Sequence, residues 1–153
     1  MSARIQRGLY LPNFGAFGDA RRVAELAADA EAAGWDGCFI WDHIARPFVT
    51  DLVDPWVALA AIAQRTTRIR FGALITPLAR RRPWQVARAT VSIDRLSGGR
   101  LVFGAGIGSG RRVEWDDFGE APDARTRGAM LDEALQVLSG LWSGQPFAFE
   151  GRH

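Results

Sequence analysis

At 153 residues the chain is long enough for one domain with a sizeable core. Hydrophobic residues make up 48% and charged residues 24%, ordinary for a globular fold, and the formal net charge is only +2. Every basic residue is an arginine and most are scattered. A nucleic-acid face would need a basic stripe with interleaved aromatics, so no such partner is expected. The N-terminal MSARIQRGLYLP has no signal-peptide core, and no run approaches the roughly 18 apolar residues of a membrane helix. A cytoplasmic location and no membrane contact are therefore expected. The single cysteine, Cys38, has no disulfide partner and sits among apolar residues, which points to an inert buried thiol.

Four apolar runs recur about 30 residues apart: GLYLPNF from Gly8, GCFIWDHI from Gly37, IRFGALITP from Ile69 and RLVFGAGIGS from Arg100. Such a period is that of strand-helix units, and runs apolar on both faces suit parallel strands covered on both sides. A helical pattern follows each run. Asp19 caps a helix with Val23, Leu26, Ala27 and Ala30 on one face, closed by Gly34. Asp54-Pro55 is a cap followed by proline at the first helical position. Pro83 opens a third helix carrying Val86, Thr90, Ile93 and Leu96, ended by Gly98-Gly99. Asp123 starts a fourth with Leu131, Leu135, Leu138 and Trp142 at helical spacing. Four units of this kind are either half of an eight-fold barrel or a small doubly wound sheet.

In both folds ligands meet the carboxyl ends of the strands. Asn13, Asp42-His43, Thr76-Pro77 and the glycines at 104, 106 and 108 fall there. An unperturbed imidazole titrates near neutrality, so a histidine at position 43 can give or take a proton, or simply bond a loop. Asp42 either orients that imidazole or caps the following loop, the cap being the simpler reading. GAGIGSG, residues 104 to 110, lacks the third glycine of the dinucleotide fingerprint and follows the wrong unit, so a nicotinamide-type module is a weak reading. Its glycines indicate a sharp bend or a close backbone approach. Arg80-Arg81-Arg82 reads as a solvated helix entrance more readily than as a phosphate site. Trp35, Trp56, Trp84, Trp115 and Trp142 read as packing, and Trp41 alone is near His43.

These residues resemble the bacterial luciferase-like family of flavin-dependent monooxygenases and oxidoreductases. LYLPNF resembles the family's first strand, and WDH its aspartate-histidine at the end of the second. RRPWQVARATVSIDRLSGGRLVFGAGIG resembles its segment in which a helix ends in D-x-L-S-G-G-R before a glycine-rich fourth strand. RGAMLDEALQVLSGLWSGQPFAFEGRH is similar to the helix and F-x-G-x-H motif that follow. The resemblance implies a TIM-barrel-like α/β fold of (βα) repeats, here about four units of a parallel (β/α)8 barrel. It implies reduced FMN, or alternatively the deazaflavin coenzyme F420, reacting with O2 or an organic substrate at the carboxyl face. By the same resemblance His43 assists proton transfer with Asp42 orienting it. Asn13, Ala73, Leu74, Thr76, Gly106 and Gly108 would line the flavin, no metal is implied, and the third strand would carry a bulge with a cis bond at Ala73-Leu74. Two family signatures depart: Ile107 stands where some FMN members carry an arginine, and Ser109 where some deazaflavin members carry an acid.

Residues 1–153 thus read as the N-terminal part of a luciferase-like domain, ending before a fifth strand. A half barrel has two unpaired edges, so self-association into a homo-oligomer or pseudo-barrel, with poor flavin binding by the isolated half, is expected. The alternative is a non-catalytic remnant that retains the fold signature or serves as an interaction partner.

Overall fold

The computed structural model describes residues 5–109, 112–121 and 123–153; Gly110 of the glycine-rich segment lies outside them. The chain alternates strands β1 (Gly8–Leu11), β2 (Gly37–Ile40), β3 (Arg70–Ala73), β4 (Thr76–Pro77) and β5 (Ala105–Gly106) with helices α1 (Ala20–Ala32), α2 (Pro55–Arg65), α3 (Pro83–Ser97) and α4 (Ala124–Trp142). All named strand pairs are parallel, in the order β1-β2-β3, with β4 beside β5.

The helix starts follow from the sequence. The Asp19 carboxylate accepts the N–H groups of Arg21 and Arg22, and Asp54 those of Trp56 and Val57. Asp123 accepts Thr126 N–H at 2.8 Å. Small residues on the inner faces, Ala24, Ala27 and Ala30 of α1 and Ala58 and Ala63 of α2, bring these helices close around Leu59, Ile62, Cys38, Ile40 and Phe71. Burial pushes the Cys38 thiol up to about 11, in keeping with an inert thiol. A second core joins Leu78, Val86 and Ala87 to Ala134 and Leu138. On α3 and α4 the stripe is narrower than the spacing predicts, since Leu96, Leu135 and Trp142 are exposed. Trp84 is also exposed, although the sequence suggests packing.

The fourth apolar run forms less regular strand than its sequence predicts. Leu101 bridges Phe71 and Ala105 pairs with Thr76, but no ladder joins the two places. Between them the third run spends four residues and the fourth only three, so the third carries one extra residue: a β-bulge. The two small sheets are one wall interrupted at this bulge. Leu74 N–H still bonds Ile40 O at 3.0 Å, and Thr76 N–H already bonds Gly104 O at 2.7 Å. The cis peptide lies between those two anchors at Leu74-Ile75, one bond later than the expected Ala73-Leu74. The ladder to β2 extends through Leu74 N–H, which keeps the preceding bond in regular strand geometry. Gly72 is required beneath the bulge, because a Cβ there would stand 1.9 Å from the Val102 carbonyl oxygen.

The D-x-L-S-G-G-R stretch acts as a structural lock. Gly98 and Gly99 take positive φ of 70° and 86° to end α3. Arg100 then donates to the carbonyls of Ala63, Thr66, Ile69 and Ser97, fastening the end of α2 to the start of β3. A second fastener is Glu31, whose carboxylate accepts the N–H groups of Thr67, Arg68 and Ile69. Partial burial alone would raise its pKa; the three N–H groups outweigh that and hold it at about 2. A folded value below the unfolded one stabilises the fold above the unfolded pKa, and the contribution fades as pH falls from about 4.5 towards 2. Glu31→Ala is expected to cost about 1–2 kcal/mol at pH 7 and progressively less below pH 4. Urea unfolding at the two pH values checks this, and an equal loss at both would contradict the carboxylate's role.

Candidate active site

At the carboxyl end of β2 the chain leaves the sheet through Trp41, Asp42 and His43. Asn13, fully buried at the end of the first unit, holds this exit in place. Its amide donates to the carbonyls of His43 and Val53, both at 2.8 Å, and its oxygen accepts His43 N–H at 3.2 Å. The imidazole sits against Trp41 and Phe14, with ring centroids 5.5 and 5.9 Å away. Trp41 also meets Tyr10 and Phe14, so four rings share one box.

The partner of His43 is Glu114, in a short 3₁₀ turn after the glycine-rich segment. His43 Nδ1 lies 2.9 Å from both carboxylate oxygens, and Ile44 N–H donates to Oε1 at 3.0 Å. Burial pushes the Glu114 carboxyl upward, but the His43 and Ile44 hydrogen bonds and the Arg80 charge outweigh it, so its pKa lies below the ordinary glutamate value. An ionised carboxylate only accepts, so Nδ1 carries the proton and donates. Nε2 is then the nitrogen left for a ligand.

Asp42 does not orient the imidazole, nor does it cap the loop. Its buried carboxylate receives Arg81 Nη2 at 2.7 and 2.8 Å and Arg80 Nη2 at 3.3 Å, and Arg80 also donates to the Asp42 carbonyl. Arg80 bridges onward to Glu114 at 3.6 Å. The arginine run is therefore neither a solvated entrance nor a phosphate grip at Arg80 and Arg81. Two buried carboxylates within reach consume both charges, while Arg82 lies over the exposed Trp84. Trp115 and Trp56 cover the guanidinium groups of Arg80 and Arg81 at 5.4 and 5.6 Å.

These groups border a cleft of about 420 Å³, within the usual range for a small-molecule site. Leu74, Ile75, Pro77 and Ile107 form its apolar wall, and His43, Arg46, Tyr10 and Ser109 its polar points. Of the residues expected to line a flavin, Leu74 and Gly108 border the cleft with His43 and Asp42. Asn13, Ala73, Thr76 and Gly106 do not: Asn13 braces the His43 backbone, and Ala73 and Thr76 are buried. Gly106 packs on Ile75, and Gly108, at φ 77°, on Trp115 and Pro77. Their missing side chains thus let the fourth run close on the bulge. Glu114 was not foreseen from the sequence. Its one signal is an acidic residue set between Val113 and Trp115 directly after a glycine-rich strand end.

The family model for luciferase-like monooxygenases matches residues 2–153. The chain belongs to the luciferase-like monooxygenase family. Luciferase-like relatives include an F420-dependent glucose-6-phosphate dehydrogenase of Tsukamurella paurometabola, 33% identical over 153 residues, 97% of this chain and 45% of the relative. Among solved structures, the FMN complex of the oxygenating constituent of 3,6-diketocamphane monooxygenase from Pseudomonas putida superposes with a TM-score of 0.81 at 22% identity, covering 96% of this chain and 42% of that one. The coenzyme F420-dependent tetrahydromethanopterin reductase from Methanopyrus kandleri gives a TM-score of 0.78 at 25% identity, covering 97% and 43%. The chain therefore spans less than half the length of these luciferase-like proteins. The fold is the TIM-barrel-like α/β arrangement that the family resemblance implies, present as four strand-helix units. Among the described residues no helix is long and apolar enough to cross a membrane.

The cleft fits a flat ring system. Leu74, Ile75, Pro77 and Ile107 give it apolar surface, and His43, able to move or hold a proton, borders the same cleft. Trp41 borders the same cleft, and its indole Nε1 is buried with no partner among the described residues.

Proposed function

We propose that this chain supplies the catalytic face of an oxidoreductase using reduced FMN or the deazaflavin coenzyme F420, acting on a small organic molecule. The observation that carries the reading is the His43 imidazole, held through Nδ1 by an ionised Glu114 at the edge of an apolar cleft at the strand ends. Such a cofactor would supply the redox chemistry, which no side chain in the cleft provides. Leu74, Ile75, Pro77 and Ile107 would bind the ring and keep water from it, and Gly108 would leave the wall closed against Trp115. His43 Nε2 would take or return the proton that accompanies the redox step, while Glu114 stabilises the imidazolium formed. Asp42, Arg80 and Arg81 fix the loop from which His43 projects.

The names of the curated relative and the reductase favour F420, whereas the camphane monooxygenase complex favours FMN. Titrating the full-length protein with each cofactor and following tryptophan fluorescence separates them, since Trp41 borders the cleft. Saturable quenching at micromolar concentration by one cofactor is expected. No saturable response to either would overturn the proposal.

A further inference from the structure

Among the described residues, the cleft holds two arginines of different standing. Arg80 is committed to Asp42 and Glu114, and its side chain is 2% exposed. Arg46, on the loop after His43, also lines the cleft, yet its guanidinium Nη1 is shut off from solvent and has no hydrogen-bond partner. Among the described residues no carboxylate pairs with it. The surrounding charges cancel without it: Asp42 and Glu114 are matched by Arg80 and Arg81. Among the described residues, Arg46 is therefore the cation of the cleft with no carboxylate partner, beside the apolar wall of Leu74, Ile75, Pro77 and Ile107.

That charge is also pre-organised. Its guanidinium carbon lies 4.7 Å from the centre of the Phe14 ring, which belongs to the same aromatic box as His43. Pro47 restricts the Arg46 backbone to extended conformations. A planar fork resting on an aromatic face loses little freedom when it binds an oxyanion, and leaving a sequestered N–H unbonded is costly.

We propose that Arg46 is the anion-recognising residue of this cleft, and that the ligand it selects carries a phosphate or carboxylate whose far end reaches His43. The proposal rests on the cleft being the active site and adds the chemical class of the ligand. A sugar phosphate, as in the relative's name, is of this class.

The test titrates the full-length protein with glucose 6-phosphate, inorganic phosphate and glucose, reading tryptophan fluorescence. Wild type should bind the two anions saturably and glucose not at all. Arg46→Gln should weaken anion binding at least tenfold, and Arg46→Lys should restore part of it, with unfolding midpoints unchanged in both. A second pair, FMN against riboflavin, identifies the source of the anion. If Arg46→Gln weakens FMN but not riboflavin, the anion is the cofactor's phosphate; if only glucose 6-phosphate is affected, it is the substrate's. Equal affinity in wild type and Arg46→Gln, or no saturable binding of any anion by wild type, overturns the proposal. Intact cofactor binding in that case leaves the oxidoreductase reading standing.

Discussion

Replacing His43 by asparagine in the full-length protein should lower turnover by roughly 10²–10⁴-fold, the usual worth of a positioned acid or base. Cofactor affinity should stay nearly unchanged, because the apolar wall at Leu74, Ile75, Pro77 and Ile107 is untouched. Asparagine suits this site, since its amide can still donate to Glu114 and its backbone remains held by Asn13. What it lacks is a ring nitrogen able to take up and return the transferred proton. A loss of turnover with cofactor affinity intact separates this role from mere loosening of the loop, which would lower both. An unchanged turnover number would remove His43 from the chemistry.

The sequence revealed the frame of this site better than its wiring. The 30-residue period, the caps at Asp19, Asp54 and Asp123, and the parallel order follow from local rules that tertiary structure did not override. The position of His43 follows too, because parallel strands end where such folds keep their ligands. Its partner does not follow, since Glu114 is 71 residues away and reaches it only when the fourth unit closes on the bulge. Adjacency in sequence favoured Asp42, but neighbouring residues leaving a strand point to opposite sides. The Asp42 carboxylate accordingly meets Arg80 and Arg81, while the His43 imidazole meets Glu114. The arginine run looks solvated in sequence for a similar reason: nothing local indicates that two carboxylates will be buried beside it. The cis bond fell one residue late because the end of the ladder is set by Leu74 N–H meeting Ile40, a partner in another unit.

Removing the Asp42 carboxylate should be the most damaging single change to stability. The side chain is fully buried and is the common acceptor for Arg80 and Arg81. In Asp42→Ala, Arg81 loses both of its short contacts and Arg80 keeps only Glu114 and a backbone carbonyl. Neither cation has spare bonding to fall back on, because the Nε atoms of both are already buried without partners. Breaking one side of a buried ion pair costs about 3–5 kcal/mol, mostly through the stranded charge. Asp42→Asn keeps the shape and one acceptor and should cost less. The double change Asp42→Leu, Arg81→Met should recover part of the loss, since it leaves Arg80 and Glu114 as a matched pair. Urea unfolding followed by circular dichroism measures all three. A loss below about 1 kcal/mol in Asp42→Ala would mean that water reaches the arginines and that the network is a surface feature. A double variant no more stable than Asp42→Ala would show that Asp42 acts through shape and not charge.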